Sequence, residues 1–336
     1  MSQDVYSYFK RRAFESHSLF SVEIDVTSKC NANCPFCFQG NHNNANPDEL
    51  SLTRMIGLLD ELRELGTYYI GFSGGEPFAR DDFIEILAAA KQRGFRISLI
   101  TNAMLLTKEQ IDRMKEMNVD HVSVSFHSIV PETYLKCFGI KDESCYYTAL
   151  ENIRYMVSKG FSLGIALTVT NLNIEDIPAT AKFFSELGIP DHSIGFNLLL
   201  KGKREINKLM PTEKQFHTFS DLLSRKFDLE AEESLLCAAG TISCSIDPCG
   251  NVYPCTFFNT PAGNVNTQSL QEIWNCSHFL TILRSFKDSM FEKCERCETK
   301  KQCQVCLASN MNETGNVFEP SEAFCISRKA RLISCV

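Results

Sequence analysis

Short apolar runs alternate with longer amphipathic stretches along the first two thirds of the chain. The runs are rich in β-branched and aromatic residues and predict strands, whereas the stretches repeat apolar residues at helical spacing and predict helices. The predicted strands are Val22–Val26, Tyr68–Phe72, Arg96–Ile100, His121–Phe126, Gly164–Val169 and Ser193–Leu200. The predicted helices are Leu52–Leu65, Asp82–Arg93, Lys108–Met117, Tyr146–Lys159 and Ile174–Leu187.

Residues at the ends of these segments support the assignment. Asp81, Thr107 and Asn173 fit helix N-caps. A glycine follows four of the five predicted helices, as expected of a helix C-terminus: Gly66, Gly94, Gly160 and Gly188. Six strands that alternate with helices predict repeated βα units around a parallel sheet, either open or closed into a full or partial barrel.

The pattern changes beyond about residue 205. A helix-like stretch, Pro211–Phe227, is followed by a region rich in glycine and cysteine with little helical periodicity. We therefore expect an N-terminal extension over residues 1–21 and a βα region over 22–205. A helical linker over 206–236 and a cysteine-rich domain over 237–336 complete the predicted organisation.

The composition narrows the class of protein. Hydrophobic residues make up 44% and charged residues 22% of the 336 residues, which is typical of a globular protein. The formal net charge of −7 gives no general attraction to nucleic acid or to an anionic membrane. The N-terminus lacks the apolar run of a signal peptide, and no stretch approaches the length of a membrane span. We therefore expect a cytoplasmic protein without a nucleic-acid or membrane partner.

The 16 cysteines are the unusual feature of the chain. In a reducing compartment, clustered thiols more often hold metal or carry out redox chemistry than form disulfides. Cys30, Cys34 and Cys37 form a C-x3-C-x2-C triplet directly after the first predicted strand, where the active sites of βα folds lie. Three thiolates on one loop can hold a [4Fe–4S] cluster and leave one iron open for a ligand. The alternatives are an incomplete zinc site and coincidence.

This part of the chain resembles the radical S-adenosylmethionine (SAM) enzymes. The triplet with its aromatic residue matches their C-x3-C-x-aromatic-C signature, and the segment after the second predicted strand matches their GGEP motif, which binds the SAM amino group. The resemblance implies a partial (β/α)6 barrel of the TIM type. The positions that it assigns to SAM binding are Phe36, Gly74, Gly75, Glu76, Pro77 and Ser125.

The chemistry that the resemblance implies is a one-electron reaction. The open iron binds the amino and carboxylate groups of SAM, and an electron from the reduced cluster cleaves the S–C5′ bond. The resulting 5′-deoxyadenosyl radical abstracts a hydrogen from the substrate.

The sequence departs from the peptide-modifying relatives after the fourth predicted strand. It reads Ser125-Phe126-His127-Ser128 where they read Ser-x-Asp-Gly, and it lacks their arginine about a dozen residues further on. Lys136 is the nearest cation, and it is either a contact of the SAM carboxylate or an exposed loop lysine. His127 either acts in the site or makes a structural hydrogen bond.

The last hundred residues resemble the SPASM extension of these enzymes, although x2 replaces the family's x3 before Cys306. The resemblance implies two auxiliary [4Fe–4S] clusters. One set of ligands is Cys294, Cys297, Cys303 and Cys325. The other set is Cys237, Cys255, Cys306 and a fourth residue, for which we predict Cys244 first and Cys249 second. Two all-cysteine zinc sites are the alternative.

The resemblance implies an enzyme with three [4Fe–4S] clusters that uses SAM to modify a ribosomally made peptide. Net oxidation to a thioether or carbon–carbon cross-link is favoured over epimerisation, for which Cys137 is a candidate hydrogen donor. Formylglycine formation is disfavoured, because Thr256 stands where an aspartate usually follows the cysteine. The alternatives are a small-molecule enzyme of a haem or aminoglycoside pathway and a non-catalytic iron–sulfur or zinc protein.

Three partners follow from this reading. The first is the precursor peptide, and the second is a reductant such as flavodoxin or ferredoxin. Because the chain before Cys30 is too short for a leader-binding domain, the barrel itself or a separate leader-binding protein is expected to recognise the precursor.

Overall fold

A computed structural model of the chain describes residues 3–39, 46–199, 207–212, 214–215, 236–298 and 300–325. The strands are β1 (Ser21–Asp25), β2 (Tyr69–Ser73), β3 (Arg96–Thr101), β4 (His121–Ser125), β5 (Leu163–Val169), β6 (Ile194–Leu198), β7 (Ser243–Ile246), β8 (Asn251–Tyr253) and β9 (Gly263–Asn264). The first helices are α1 (Gln3–Ser16), α2 (Leu52–Glu64), α3 (Phe83–Gln92), α4 (Lys108–Glu116), α5 (Pro131–Phe138), α6 (Ser144–Ser158) and α7 (Ile177–Glu186). The C-terminal region adds α8 (Leu270–Cys276), α9 (His278–Ser285), α10 (Glu292–Glu295) and α11 (Leu307–Thr314).

The described strands form one sheet in the order β6-β5-β4-β3-β2-β1-β7-β8-β9. Strands β1 to β6 are parallel neighbours, and helices connect them in the manner of repeated βα units. Strand β7 pairs with the other side of β1, also in parallel, and β8 and β9 continue antiparallel. The cysteine-rich region thus extends the sheet of the barrel by three strands.

The two faces of the sheet differ in character because side chains alternate along a strand. On β1, Val22 and Ile24 are buried in the main hydrophobic core together with helix residues such as Leu58. Glu23 points the other way and lines a cavity inside the barrel. On β4, Ser123 lines the same cavity. Apolar packing therefore holds the helices on the outside, and the inner face is left to small and polar side chains.

The six strands and five helices predicted from the sequence pattern are confirmed, with their ends shifted by a few residues. Thr107 caps α4 as predicted and accepts a hydrogen bond from the Gln110 N–H (3.2 Å). The other two predicted N-caps are wrong, because α3 and α7 begin after Asp82 and Asp176. Asn173 instead donates its side-chain amide to the His127 carbonyl (2.8 Å), which holds the chain after β4 to the chain after β5.

In the region before the cysteine-rich domain, two of the described helices were not predicted, α1 and α5. Helix α5 has proline at its first position and Gly139 in a left-handed conformation (φ 61°) at its end, which are signals that the sequence did contain. The expected lack of helix in the cysteine-rich region is wrong, since α8 to α11 lie there. The predicted helix Pro211–Phe227 falls mostly outside the described residues. None of the described helices has the length and apolar character that crossing a bilayer requires.

Candidate active site

The first cysteine motif lies on the loop that follows β1. Burial raises the pKa of Cys30 to about 11, and the nearby Cys37 thiol contributes. Burial, together with the nearby Cys37 and Cys30 thiols, also raises the pKa of Cys34. The three thiols are therefore close neighbours. The Asn33 N–H donates to the Phe138 carbonyl at the end of α5 (2.8 Å), which anchors the loop.

The two glycines after β2 pack against the backbone of this loop. The Gly75 N–H donates to the Thr27 carbonyl (2.8 Å), and the Glu76 N–H donates to the Lys29 carbonyl (2.9 Å). A Cβ on Gly75 would lie 2.3 Å from the Lys29 carbonyl oxygen, and one on Gly74 would lie 2.5 Å from the Thr27 carbonyl oxygen. Any side chain here would push the two loops apart, so the close approach requires glycine.

Glu76 is held rigidly behind these glycines, with 1% of its surface exposed. Its Oε1 accepts from the Thr101 hydroxyl (2.6 Å), and its Oε2 accepts from the Asn102 N–H (2.7 Å). Burial still raises the pKa of Glu76 to about 7, and hydrogen bonds offset that rise only in part. A carboxylate in this position is suited to bind an ammonium group.

One cavity of about 810 Å³ connects these groups. Thr256 and Phe257, which directly follow Cys255 in the second cysteine region, also line it. Pro77 begins a short 3₁₀ helix beside the cavity wall, and the Glu76 side chain caps that helix. The sequence-predicted residues that line the cavity are Cys30, Cys34, Phe36, Cys37, Gly74, Gly75, Glu76 and Ser125.

Lys136 lies away from this cavity. It is on the exposed face of α5, and its Nζ donates to Glu132 one turn earlier (2.8 Å). The two side chains are 61% and 79% exposed. The structure thus corrects the predicted contact with the SAM carboxylate and favours the alternative, an exposed lysine, although on a helix rather than on a loop.

Cys137 is also separated from the cavity. Its side chain is fully buried and packs with Phe36 and Leu199 in a small apolar cluster. Burial raises the pKa of the Cys137 thiol to about 12. A hydrogen donor has to reach the substrate, so this position does not support the role predicted for Cys137.

His127 combines the two roles that the sequence left open. It lines the cavity, and its Nδ1 accepts a hydrogen bond from the Thr168 N–H (3.1 Å). Its ring meets the Phe36 ring edge-on (centroids 5.1 Å apart) and stacks on the Phe138 ring (4.7 Å). Burial lowers the pKa of His127 to about 3, so the ring is neutral near pH 7. With Nδ1 as acceptor, the proton of the neutral ring resides on Nε2.

Cys237, Cys255 and Cys306 form a group in the C-terminal region. Burial raises the pKa of Cys255 to about 12, and the nearby Cys237 and Cys306 thiols contribute. Helix α11 begins directly after Cys306, whose Sγ accepts from the Ser309 N–H (3.5 Å).

A second group consists of Cys294, Cys297, Cys303 and Cys325. Burial and the other three thiols raise the pKa of Cys294 to about 11. The Cys297 N–H donates to the Cys294 carbonyl (3.1 Å) in a tight turn. Cys294 therefore lies near the other three thiols of this group.

The fourth ligand predicted for the first of these two groups is not supplied by the geometry. Cys244 lies on β7 opposite Val22, is 3% exposed and belongs to the main core. Its charged neighbour is Arg284 rather than another thiol. Cys249, the second choice, lies in the turn before β8, where the nearby Asp247 contributes to its raised pKa. Both assignments are corrected, because neither residue is close to the other three thiols.

Family models match both parts of the chain. Residues 24–184 match the radical SAM superfamily, and residues 237–298 match SPASM, an iron–sulfur cluster-binding domain. The chain is a radical SAM protein with a SPASM domain. The SPASM match ends before Cys303, Cys306 and Cys325, so it does not cover these three cysteines.

Relatives of this radical SAM protein differ in their products. It is 27% identical to an AdoMet-dependent heme synthase of Methanosarcina barkeri (strain Fusaro / DSM 804), over 92% of this chain and 97% of that protein. It is 24% identical to a PqqA peptide cyclase of Gluconobacter oxydans (strain 621H), over 88% of this chain and 87% of that protein.

Solved structures confirm the fold class. Streptococcus suis SuiB bound to S-adenosylmethionine superposes with a TM-score of 0.69 at 18% identity, over 97% of this chain and 83% of that chain. Native anSMEcpe with bound AdoMet gives 0.71 at 17% identity, over 94% of this chain and 96% of that chain. The partial barrel followed by a SPASM domain is thus confirmed, and at these identities the likeness concerns the fold alone.

The three cysteine groups of the radical SAM protein fit iron–sulfur clusters. Each consists of thiols, the ligand type that such clusters use. In the part of the chain that the structure describes, no three His, Cys, Asp or Glu side chains could together hold a single metal ion. Thiols can hold either an iron–sulfur cluster or zinc, and the match to an iron–sulfur cluster-binding domain favours the cluster.

Glu76 provides a test of SAM binding. In Glu76→Gln the shape is kept and the charge is lost, so we expect the affinity for SAM to fall about tenfold or more, since a charge-assisted hydrogen bond contributes ~1.5–3 kcal/mol. Isothermal titration of SAM into the wild type and the variant at the same pH measures the difference.

The matched control for this experiment is Glu64→Gln, which removes the same charge from an exposed position at the end of α2. Its SAM affinity should equal that of the wild type. An unchanged affinity in Glu76→Gln, with unchanged iron content, would show that the SAM amino group lies elsewhere.

Proposed function

We propose that this radical SAM protein cleaves SAM reductively and oxidatively modifies a ribosomally made peptide, with a thioether or carbon–carbon cross-link as the favoured product. The observation that carries the proposal is one cavity that both cysteine regions share. The cavity is lined by Cys30, Cys34 and Cys37 and by Thr256 and Phe257, which follow Cys255. A substrate in this cavity would lie between the first cysteine motif and an auxiliary site.

The proposed ligand sets are Cys30, Cys34 and Cys37 for the SAM cluster, Cys237, Cys255 and Cys306 for one auxiliary cluster, and Cys294, Cys297, Cys303 and Cys325 for the other. Three [4Fe–4S] clusters are therefore proposed. When bound, they supply the electron that cleaves the S–C5′ bond of SAM and a site that accepts an electron from the substrate.

The side chains of the protein are proposed to bind and orient SAM. Glu76, fixed by Thr101 and Asn102, is proposed to accept a hydrogen bond from the SAM amino group. Phe36 is proposed to lie beside the adenine, and its own position is set by contact with the His127 ring. Ser125 is proposed to contact SAM from the end of β4. The apolar packing outside the barrel leaves these polar groups in a cavity from which a bound substrate would exclude water.

Partners follow from this proposal. A precursor peptide is the proposed substrate. Two similar proteins have names that mention a peptide: a PqqA peptide cyclase and SuiB, whose structure is bound to precursor peptide SuiA. A reductant such as flavodoxin or ferredoxin and, for leader recognition, the barrel or a separate leader-binding protein complete the set. We propose the cytoplasm as the location.

A second candidate is a small-molecule reaction of haem synthesis. It is favoured by the length of the match to AdoMet-dependent heme synthases, which covers 92% of this chain in one and 94% in another. Tetrapyrroles of that pathway carry several carboxylates, and a site for them needs cations. The cavity offers no lysine or arginine among its described lining residues, so the peptide substrate is preferred.

The mass of the product tests the proposed function. In a cross-link formed by net oxidation, one hydrogen leaves with 5′-deoxyadenosine, and a second leaves as a proton and an electron. The peptide encoded beside the gene should therefore lose two hydrogens when incubated with reduced protein and SAM. Alanine at Cys294 and Cys297 should preserve some SAM cleavage and abolish the modified peptide, provided that the region still folds.

Two other results would contradict the proposal. An unchanged mass with one deuterium gained from heavy water indicates epimerisation instead of oxidation. A protein that is reduced, holds its iron and forms no 5′-deoxyadenosine from SAM would be a non-catalytic iron–sulfur protein.

A further inference from the structure

Glu23 is a carboxyl group on the inner wall of the barrel. It lies at the centre of β1, in register with Gly71 of β2 and Ser245 of β7. Its side chain lines the cavity. A Cβ on Gly71 would be in van der Waals contact with the Glu23 Cγ, at 3.9 Å. Because glycine has no Cβ, this position of the neighbouring strand leaves room beside the Glu23 side chain. The position is therefore accessible to a molecule inside the barrel.

No described residue compensates the charge of Glu23. Burial raises its pKa, and neither a hydrogen bond nor a nearby charge acts against that rise. Glu76, in contrast, accepts hydrogen bonds from Thr101 and Asn102. Glu23 is only partly buried and faces the cavity, so its carboxyl group can pair with a ligand there.

Three histidines, His121, His127 and His192, also line the cavity. Its described lining contains two carboxyl groups, Glu23 and Glu76, and neither lysine nor arginine. Burial lowers the pKa of both His121 and His127, which keeps these rings neutral near pH 7. Under the proposed function Glu76 binds the SAM amino group, and Glu23 remains for the substrate.

We propose that Glu23 binds a cationic group of the substrate, an ammonium or guanidinium of a lysine or arginine side chain in the peptide. The inference rests on the proposed function and specifies its substrate class. Such a group would form a charge-assisted hydrogen bond with Glu23, whereas the acidic wall would repel a carboxylate.

The depth of Glu23 in the barrel suits a long side chain. Strand residues rise about 3.3 Å each, so Glu23 lies about 7 Å from Asp25, where β1 ends and the SAM site begins. The flexible four-carbon stem of lysine is of this order of length. With its charge held at Glu23, the stem would extend toward the strand ends, where its carbon–hydrogen bonds face the cofactor.

Binding of three small probes tests this inference. The probes are N-acetyl methylamides of lysine, norleucine and glutamate, which compare a cation, a neutral chain of similar length and an anion. They are titrated into anaerobically reconstituted full-length protein with SAM and without reductant, so that no turnover occurs. We expect the lysine probe to bind about tenfold more tightly than the norleucine probe and the glutamate probe to bind most weakly.

Variants assign the preference to Glu23. Glu23→Gln should bind the lysine and norleucine probes equally, and Glu23→Asp, which keeps the charge, should retain part of the preference. Glu64→Gln, which removes an exposed carboxylate on α2, should behave like the wild type. A near-ultraviolet spectrum and iron content equal to those of the wild type verify that each variant is folded and loaded.

Three results would overturn the inference. These are failure of all three probes to bind, equal wild-type affinity for lysine and norleucine, and a lysine preference that survives Glu23→Gln. Formation of 5′-deoxyadenosine by the reduced wild type is measured separately. If SAM is cleaved and the lysine preference is absent, the assignment of Glu23 fails alone, whereas a wild type that cleaves no SAM refutes the proposed function.

Discussion

Replacing Cys30, Cys34 and Cys37 together by alanine is expected to abolish SAM cleavage while iron remains in the SPASM region. The three thiols are neighbours on one loop and line the cavity with Glu76. The other two cysteine groups lie in the C-terminal region, on segments that follow β6. Iron in anaerobically reconstituted protein should therefore fall from about 12 to about 8 atoms per chain. Iron analysis and detection of 5′-deoxyadenosine by mass spectrometry measure the two effects.

The control for this variant is Cys276→Ala, because Cys276 has an exposed side chain at the end of α8. Its iron content and SAM cleavage should equal those of the wild type. Stoichiometric zinc in the purified wild type, with only about four irons taken up, would contradict the assignment of the SPASM cysteines to clusters.

The first half of the site could be predicted because its chemistry is local in sequence. Cys30, Cys34 and Cys37 share one loop, and the spacing alone brings three thiols together. Gly74 and Gly75 are required because a Cβ at these positions would lie 2.5 Å and 2.3 Å from neighbouring backbone oxygens. Such close approaches admit only one residue type, so the motif is visible in the sequence.

Positions that depend on distant pairing could not be predicted in this way. Cys244 is seven residues after Cys237, a spacing that suits a shared cluster. It enters β7, however, and the register of β7 with β1 places it opposite Val22 in the core. A pairing between segments more than 200 residues apart determines which face Cys244 occupies, and no local pattern encodes it.

The same reason explains why Glu23 was not singled out. A carboxylate in an alternating strand usually faces solvent. Only the curvature of the sheet into a partial barrel turns the polar face of β1 inward. Lys136 illustrates the opposite error, because its place after β4 suggested the cofactor site. Helix α5, which was not predicted, turns its side chain outward to pair with Glu132.

Replacing Gly139 by alanine is expected to impair the cluster loop although no ligand is changed. Gly139 ends α5 with φ 61°, and a Cβ there would lie 2.2 Å from the Asn33 carbonyl oxygen. Asn33 lies within the cysteine triplet and donates its N–H to the Phe138 carbonyl (2.8 Å). The loop must therefore move, and a displacement of about 1 Å at a reacting group can lower a rate about a hundredfold. Formation of 5′-deoxyadenosine by reduced protein measures the loss.

Gly160→Ala separates this displacement from backbone strain. Gly160 follows α6 with φ 67°, and a Cβ there would approach only the Lys115 Nζ, at 3.9 Å. Both variants carry the strain of a left-handed alanine, about 1–2 kcal/mol in the free energy of unfolding. We expect Gly160→Ala to lose that stability and keep full SAM cleavage. If Gly139→Ala also keeps wild-type iron content and SAM cleavage, the loop adapts to the side chain, and the contact between α5 and the cysteine triplet does not position the cluster site.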